Sequence, residues 1–499
     1  MESRMKIKLS FYAVLSAVTF IILILTNNPG ISIPLFMLIQ FVSIYLVVKN
    51  RNEVANIKGL LWMLPIFIIT LNSLISAYDL WGPLNFLVNV GLYSVMTLTL
   101  SGGFVLKSIN YKDILIVIFN VFAPMIHFVV PFKWYAERST DKEKNLLIKR
   151  ILIGILISVP SVVFLILMLS SADMVFRNSF NNYVLWLDKL FEVFNIFKLI
   201  IGTVVGLYLF GQLYSIFEEK HNGLEKIITI NTNPFKIKGD IVILNILLVS
   251  ILSIYTIFMV IQFKYLFSAG ELPNGLNFAE YARRGFFELV FLSVLNIGLI
   301  LLTTFLLKEK IYDEKSKWAI GTKLLLIYLC IITGILLVSS YYRMSLYDSA
   351  YGFTRLRILV YLFLIFEAVG LVATLIYILK RNFNILFVYV VIGIGFYLTT
   401  NVIKIDTIIA KRNIDMYLAG QTESLDMNYL TTLSVDAAPE IMRLVDEDVE
   451  FIVKYQARNY LQDKYNYYSD IEFNWQSYNL SVEKTKALLK DNKDKLWVN

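Results

Sequence analysis

Cysteine is almost missing from this chain of 499 residues: Cys330 stands alone inside an apolar run. No disulfide can form within one chain, and the residue carries no information about redox compartment. Histidine is nearly as rare. His127 and His221, with one cysteine, cannot supply an ordinary zinc site, so no metal is expected. No G-x-x-x-x-G-K-[ST] phosphate loop, dinucleotide glycine fingerprint or G-x-S-x-G elbow occurs. ATP-driven work by this chain alone is therefore unsupported, and no cofactor is expected. Charge is scarce too. Asp, Glu, Lys and Arg make up 17% of the residues, where a soluble domain carries about a quarter.

What fills the space is hydrocarbon. The composition is 57% hydrophobic with a mean hydropathy of +0.65. The excess falls into charge-poor runs such as 59–78, 80–106, 151–172, 199–217, 241–263 and 383–403. A helix rises about 1.5 Å per residue, so roughly 20 such residues cross the hydrocarbon core. Backbone polar groups in lipid must be satisfied within the segment, which makes these runs helices. The fold class is all-α: a polytopic transmembrane helical bundle with a small soluble helical C-terminal domain.

Twelve segments qualify: 9–26, 31–48, 59–78, 80–106, 114–132, 151–172, 199–217, 241–263, 289–307, 324–342, 358–379 and 383–403. Arg4, Lys6 and Lys8 precede the first, and no small-residue cleavage site follows, so an uncleaved first span is expected. Basic residues collect at 133–150, 220–238, 308–323 and 380–381, loops that read as cytoplasmic. Lys107 and Lys112 also read inside, leaving only 114–132 between two inner loops. That segment holds Asn120, Pro124, His127 and Pro131, and proline removes a backbone donor. It is expected to be re-entrant or interfacial, giving about eleven through-spans with the N-terminus inside and the tail outside. Twelve spans with one misplaced basic loop is the alternative.

Three regions follow: an N-terminal membrane group at 1–150, a membrane domain at 151–403 and a soluble tail at 404–499. The tail carries sixteen acidic and twelve basic residues, net −4, while the first 403 residues carry +12. The positive charge thus belongs to loops that meet anionic lipid and does not point to nucleic acid. Twelve aromatics are too many for a disordered tail. Ala438, Ile441, Met442, Val445, Val449, Ile452, Val453, Ala457 and Leu461 recur at helical spacing, which predicts a few short helices.

Four stretches carry a resemblance: SADMVF from Ser171, YARRGFFEL from Tyr281, RMSLYDSAYGFTRLR from Arg343 and NVIKIDTIIAKRNID from Asn401. Together they resemble the bacterial multispan proteins known as domain-of-unknown-function type 4173, and the related type 4153. The resemblance runs from about residue 150 to Pro439 and departs from the pattern at Lys404 and Ile405. It implies a multi-pass protein of a bacterial inner or cytoplasmic membrane and supplies no activity.

On the expected topology all four stretches lie at the outer face. Glu280, Arg284 and Glu288 recur at four-residue spacing with Arg283 beside them, and Asp173 ends the preceding span. These five read as a charged rim, or as helix-stabilising pairs. In the third stretch a continuous helix would put Asp348, Gly352 and Arg355 on one face and Arg343, Tyr347 and Tyr351 on another; equally, Gly352 breaks the helix and two short helices dip into the interface. Arginine's planar fork suits phosphate or carboxylate, so Arg343, Asp348, Tyr351, Arg355 and Arg357 form a candidate anion site. Snorkelling to head groups together with packing against the tail is the plainer reading, with Arg355 paired to Asp348 as the competing structural account. Glu367 falls near mid-bilayer, where a charge costs roughly 2.5–3.5 kcal/mol. It reads as a proton relay, or as a protonated acid bonded to Asn296 or Asn245.

Binding or translocation of an anionic envelope component, a lipid head group or polymer precursor, is the first expectation. A sensor whose tail meets a ligand or protein partner is the second. A membrane glycosyltransferase using Asp79, Asp173 or Asp348 is the third, although the first outer loop, 27–30, offers no carboxylate.

Overall fold

The computed structural model describes residues 3–49, 57–101, 111–136, 193–216, 239–266, 286–470 and 474–497, apart from a few turn positions, and isolated residues between 154 and 179. Its membrane helices are Ser3–Phe20 (α1), Ser32–Lys49 (α2), Met63–Ile75 (α3), Pro83–Leu100 (α4), Tyr111–Phe122 (α5) and Val130–Ala136 (α6). Val193–Ser215 (α7), Ile241–Leu266 (α8), Phe286–Leu306 (α9), Lys317–Tyr351 (α10), Arg355–Leu379 (α11) and Ile385–Val402 (α12) follow. The tail holds Ile405–Leu418 (α13), Met427–Leu430 (α14), Ala438–Asp446 (α15), Phe451–Asp470 (α16), Leu480–Asp491 (α17) and Lys493–Leu496 (α18). Among the described residues there is no strand.

Two apolar cores lie among the membrane helices. Leu9, Ile44, Ile66, Met96 and Phe210 centre the first, which α1 to α4 build with α7. Leu248, Ile300, Leu326, Leu336 and Ile378 centre the second, built by α8 to α11. Helix α12 packs against α11 of the second and α3 of the first. Lipid offers no hydrophobic drive between helices, so close backbone approach must supply the attraction. At the α1–α7 crossing, Gly202 and Gly206 face Ala13, Ala17 and Ile21, and a Cβ on Gly206 would lie 2.6 Å from the Ala13 carbonyl.

The two ends of the bundle differ in charge. Turns at Gly30, Ser76–Gly82, Gly352–Thr354 and Lys404 touch the tail at one end. Among the described residues, the basic turns around Lys310 and Lys380 meet at the other: Lys310 Nζ donates to the Gly239 carbonyl at 3.0 Å, and Tyr312 Oη donates to that of Tyr377 at 2.6 Å.

Eleven helices among the described residues are long and apolar enough to cross a membrane, and Asp113–Trp134 is one of them. Its contacts nevertheless put both of its ends at the basic end. Ile116 and Val117 pack on Leu98, as Leu386 and Phe387 do, near the last turn of α4 and the first of α12. Trp134 meets Phe210, Tyr214 and the ammonium of Lys6. Between them Ala123–Val129 tightens into a 3-10 turn containing Pro124. Neighbouring helices cover the irregular backbone, as its depth requires. Tyr208 Oη donates to the Val121 carbonyl at 2.9 Å, and Gly211 lies against Pro124. Gln212, fully buried, bridges Thr97, Ser94 and Tyr208. The expected span 151–172 lies mostly outside the described residues.

The tail forms a third core of Ile409, Ile414, Leu430, Ile441, Leu444, Ala457 and Leu461, against which Leu80, Phe353 and Ile358 of the membrane part also pack. The predicted periodic run over 437–462 divides into α15 and α16, and Ile452 faces outward at 54% exposure.

Candidate functional site

Helix α10 ends where Gly352 takes φ 71° and ψ 176°, a conformation that L side chains avoid. Asn413 of α13 clamps the resulting turn: its Oδ1 accepts from Phe353 N at 2.6 Å and its Nδ2 donates to Phe353 O at 3.0 Å. Arg355 then opens α11. Its Nε and Nη2 donate to Oδ1 and Oδ2 of Asp406, each at 2.7 Å, and its guanidinium lies 4.0 Å from the Tyr78 ring centroid. Asp406 is fully buried at its side chain and takes a further bond from Ser434 N at 2.7 Å. Burial pushes the Tyr429 phenol up, keeping it neutral as it accepts from Arg355 N at 3.0 Å.

The expected pairing of Arg355 with Asp348 is therefore corrected. Gly352 breaks the helix, so the face that Asp348 and Arg355 would share on a continuous helix does not exist. Asp348 faces Arg357 instead, with 3.4 Å between Oδ1 and Nε. Arg357 also donates to the Gly352 carbonyl and stacks 4.0 Å from the Tyr347 ring. Arg343 is buried within α10, and Tyr351 is exposed with its ring 5.0 Å from that of Tyr347. The structure pairs Asp348 with Arg357 but does not gather the five side chains into one site: each of the two α11 arginines already holds its own carboxylate.

A second buried carboxylate joins more of the chain. Asp436 Oδ2 accepts from Ser76 Oγ and Ala77 N, both at 2.9 Å, and its Oδ1 faces Lys404 Nζ at 3.4 Å and takes a bond from Ser481 Oγ. Nearby, Asn479 Nδ2 donates to the carbonyls of Ser73 and Ser76, and Gly30 N donates to Gln476 O at 2.8 Å. Arg443 binds Asp415 and Glu440, which together hold its guanidinium above its ordinary range. Lys404, Asp406 and Asn413 of the fourth stretch thus serve the joint between tail and membrane helices, while Asp415 holds Arg443 within the tail. Their spacing in NVIKIDTIIAKRNID was visible, but their partners were not. Asp436 had no sequence signal, because its Ser76 contact spans 360 positions.

Beside the joint opens a cleft of about 720 Å³ between α10, α11 and α13. Tyr341, Phe353, Ile358, Tyr361, Ile365 and Ile408 give it apolar walls, Asp348 and Ser349 lie along it, and Arg412 stands in its lining. Arg412 is exposed and forms no ion pair among the described residues, since Asp415 is taken by Arg443. A more polar recess of about 420 Å³, containing Tyr351, Asn413, Thr422 and Asp426, shares Met416 with the cleft.

The other expected residues fall elsewhere. Glu367 Oε1 lies 2.6 Å from Ser293 Oγ, not on either expected asparagine. Asn296 accepts from Tyr255 Oη at 2.8 Å and Asn245 from Thr322 Oγ1 at 2.7 Å, so both amide oxygens are engaged. Asp173 is exposed, with its N bonded to Leu169 O; Glu288 is exposed in the first turn of α9. Glu280, Arg283 and Arg284 lie outside the described residues. Asp79 caps a turn through Trp81 N, Gly82 N and Asn85 Nδ2, which commits it structurally.

Fold and joint define a multi-pass α-helical membrane protein whose C-terminal helical tail is docked on one end of its bundle. The chain belongs to the family described as Domain of unknown function (DUF4153), which matches residues 9–444. The family shown is thus the 4153 type, and it takes in the first 150 residues, where no motif stood out. No curated protein and no solved structure matches the chain.

Proposed function

We propose that this protein binds an anionic amphipathic lipid, a cell-envelope lipid or lipid-linked polymer precursor, in the cleft between α10, α11 and α13. The observation that carries this is Arg412, which has no ion pair among the described residues, on a cleft with mainly apolar walls whose two acids, Asp348 and Asp415, face Arg357 and Arg443. Ile365 lies ten residues into α11, about 15 Å along the helix from Arg355. The cleft therefore runs from the tail towards the hydrocarbon region, with room for an acyl chain below a head group. Arginine offers a planar, weakly hydrated fork for phosphate. With Arg355 and Arg357 committed to carboxylates, Arg412 replaces them as the anion contact.

Lipid retained by purified protein, read by native mass spectrometry, tests this. Wild type is expected to keep an anionic phospholipid in preference to a zwitterionic one. Arg412→Glu should weaken that retention about tenfold or more, the size of one charge-assisted contact. Ser349→Trp should displace the lipid by filling the cleft. The reading is abandoned if both variants melt and retain lipid as wild type does.

The same proposal places the tail outside a bacterial cytoplasmic membrane, supported by the described basic turns around Lys310 and Lys380–Arg381 at the end opposite the tail. Cys330 is buried, so a Cys330→Ser background should be silent to maleimide. Asp448→Cys is exposed on the tail and Arg381→Cys is exposed in the basic turn. An impermeant maleimide should label the first on intact cells and the second only after permeabilisation. The opposite pattern reverses the orientation.

A further inference from the structure

Glu367 sits in the second membrane core at 8% exposure, and its surroundings do not suit a carboxylate. Ser293 Oγ lies 2.7 Å from the Val290 carbonyl and 2.6 Å from Glu367 Oε1. A hydroxyl has one hydrogen, and a backbone carbonyl can only accept. If the serine donates to Val290, as its place one turn further along α9 favours, the hydrogen in the shorter contact must come from the glutamic acid. The other oxygen, Oε2, is buried with no hydrogen-bond partner, and so is Nδ2 of Asn296, one turn along α9 from Ser293. A carboxylate there would leave a full charge in hydrocarbon with one donor at most, a cost of several kcal/mol in general.

No counter-ion relieves that cost. Glu367 forms no ion pair among the described residues. Among the described residues, the titratable groups nearby are Tyr389 from α12, within electrostatic reach of Glu367 and also of Cys330 on α10, and Tyr255 from α8, bonded to Asn296. Helix α9 brings Ser293 and Asn296; its acid Glu288 is exposed five residues before Ser293. Helix α13 meets α11 at Arg355, twelve residues from Glu367, where Asp406 is already paired. Room for the tyrosine comes from Gly370: a Cβ there would lie 3.2 Å from the Tyr389 ring, and Tyr389 Oη donates to the Gly370 carbonyl at 3.1 Å.

We propose that Glu367 is an exchangeable proton-binding site inside the second bundle, neutral in the state seen and hydrogen-bonded to Ser293 Oγ. Its ligand is the proton. Release leaves the carboxylate to be met by Ser293, whose hydroxyl can rotate from Val290, and by the free amide hydrogens of Asn296. The site is independent of the lipid cleft, and either proposal can fail alone.

Dicyclohexylcarbodiimide, an apolar reagent that consumes protonated carboxyls within lipid, reads the state directly. With the full-length protein in liposomes, peptide mass spectrometry should find the adduct on Glu367 in mildly acidic buffer. Labelling should fall through a single midpoint as the buffer becomes alkaline. Glu367→Gln should lose the adduct and melt as wild type, because its amide still donates to Ser293 Oγ. Ser293→Ala should move the midpoint. Infrared difference spectra give a second reading: the carbonyl band of a neutral carboxylic acid should be present in wild type and missing in Glu367→Gln. No adduct at any pH, or labelling that ignores pH, overturns the proposal. Protection by sodium at fixed pH also overturns it, by making a metal cation the ligand.

Discussion

Arg355→Ala should lower the stability of the purified protein by about 3 kcal/mol, the low end of the cost of removing one partner from a buried ion pair. The low end applies because the arginine side chain is 27% exposed while that of Asp406 is fully buried. The truncated variant leaves the carboxylate with Ser434 N, a desolvated charge that no other cation among the described residues pairs with. Arg355→Lys keeps the charge but cannot make two parallel bonds, so it should cost less than alanine and more than nothing. A double-mutant cycle with Asp406→Asn separates the pair from its surroundings. The two single losses should exceed the double loss by about 1–3 kcal/mol, the range for residues in direct contact. Thermal unfolding supplies the midpoints, and limited proteolysis shows whether the tail detaches first. Should the losses simply add, the 2.7 Å contacts do not hold the tail to α11.

This prediction concerns a residue that the sequence singled out for a different reason. Arg355 stood out as an arginine whose planar fork suits phosphate or carboxylate. Packing against the tail was expected in general, but the one acid named as its partner was Asp348, seven residues away. The compensating group lies 51 positions on, in the first turn of the tail. Helical spacing ranks neighbours only while the helix continues, and Gly352 ends it. Glu367 shows the same limit. Its depth and isolation followed from the apolar run around it, but the choice between Asn245, Asn296 and Ser293 depends on how α9 and α11 rotate against each other. The membrane architecture was more legible because it is dictated locally. Length, charge exclusion and proline act within each segment, so 114–132 could be marked as unfit for a simple crossing from Asn120, Pro124 and Pro131 alone. Arg412 went unmarked because nothing in KRNID distinguishes a solvated arginine from one on a cleft.

Gly352→Ala should be nearly as damaging as the loss of Arg355, through backbone rather than charge. At φ 71° and ψ 176° the residue occupies a region open essentially to glycine, and forcing another residue there costs about 1–3 kcal/mol. A methyl group adds a second penalty, since a Cβ would stand 2.9 Å from Asn413 Oδ1. That oxygen cannot retreat freely: it accepts from Phe353 N, and the same amide donates to Phe353 O. The two penalties can be separated. Asn413→Ala removes the obstruction together with two hydrogen bonds, at a cost of about 1–3 kcal/mol by itself. In that background Gly352→Ala should lose its steric part and keep its conformational part, so the second substitution costs less than it does alone but still lowers the melting temperature. Alanine tolerated equally in both backgrounds would mean that the turn can relax out of its positive φ, and that the tail does not depend on it for docking. Alanine ruinous alone and harmless beside Asn413→Ala would put the whole effect in the clash, leaving the backbone conformation a consequence of the clamp rather than a reason for glycine.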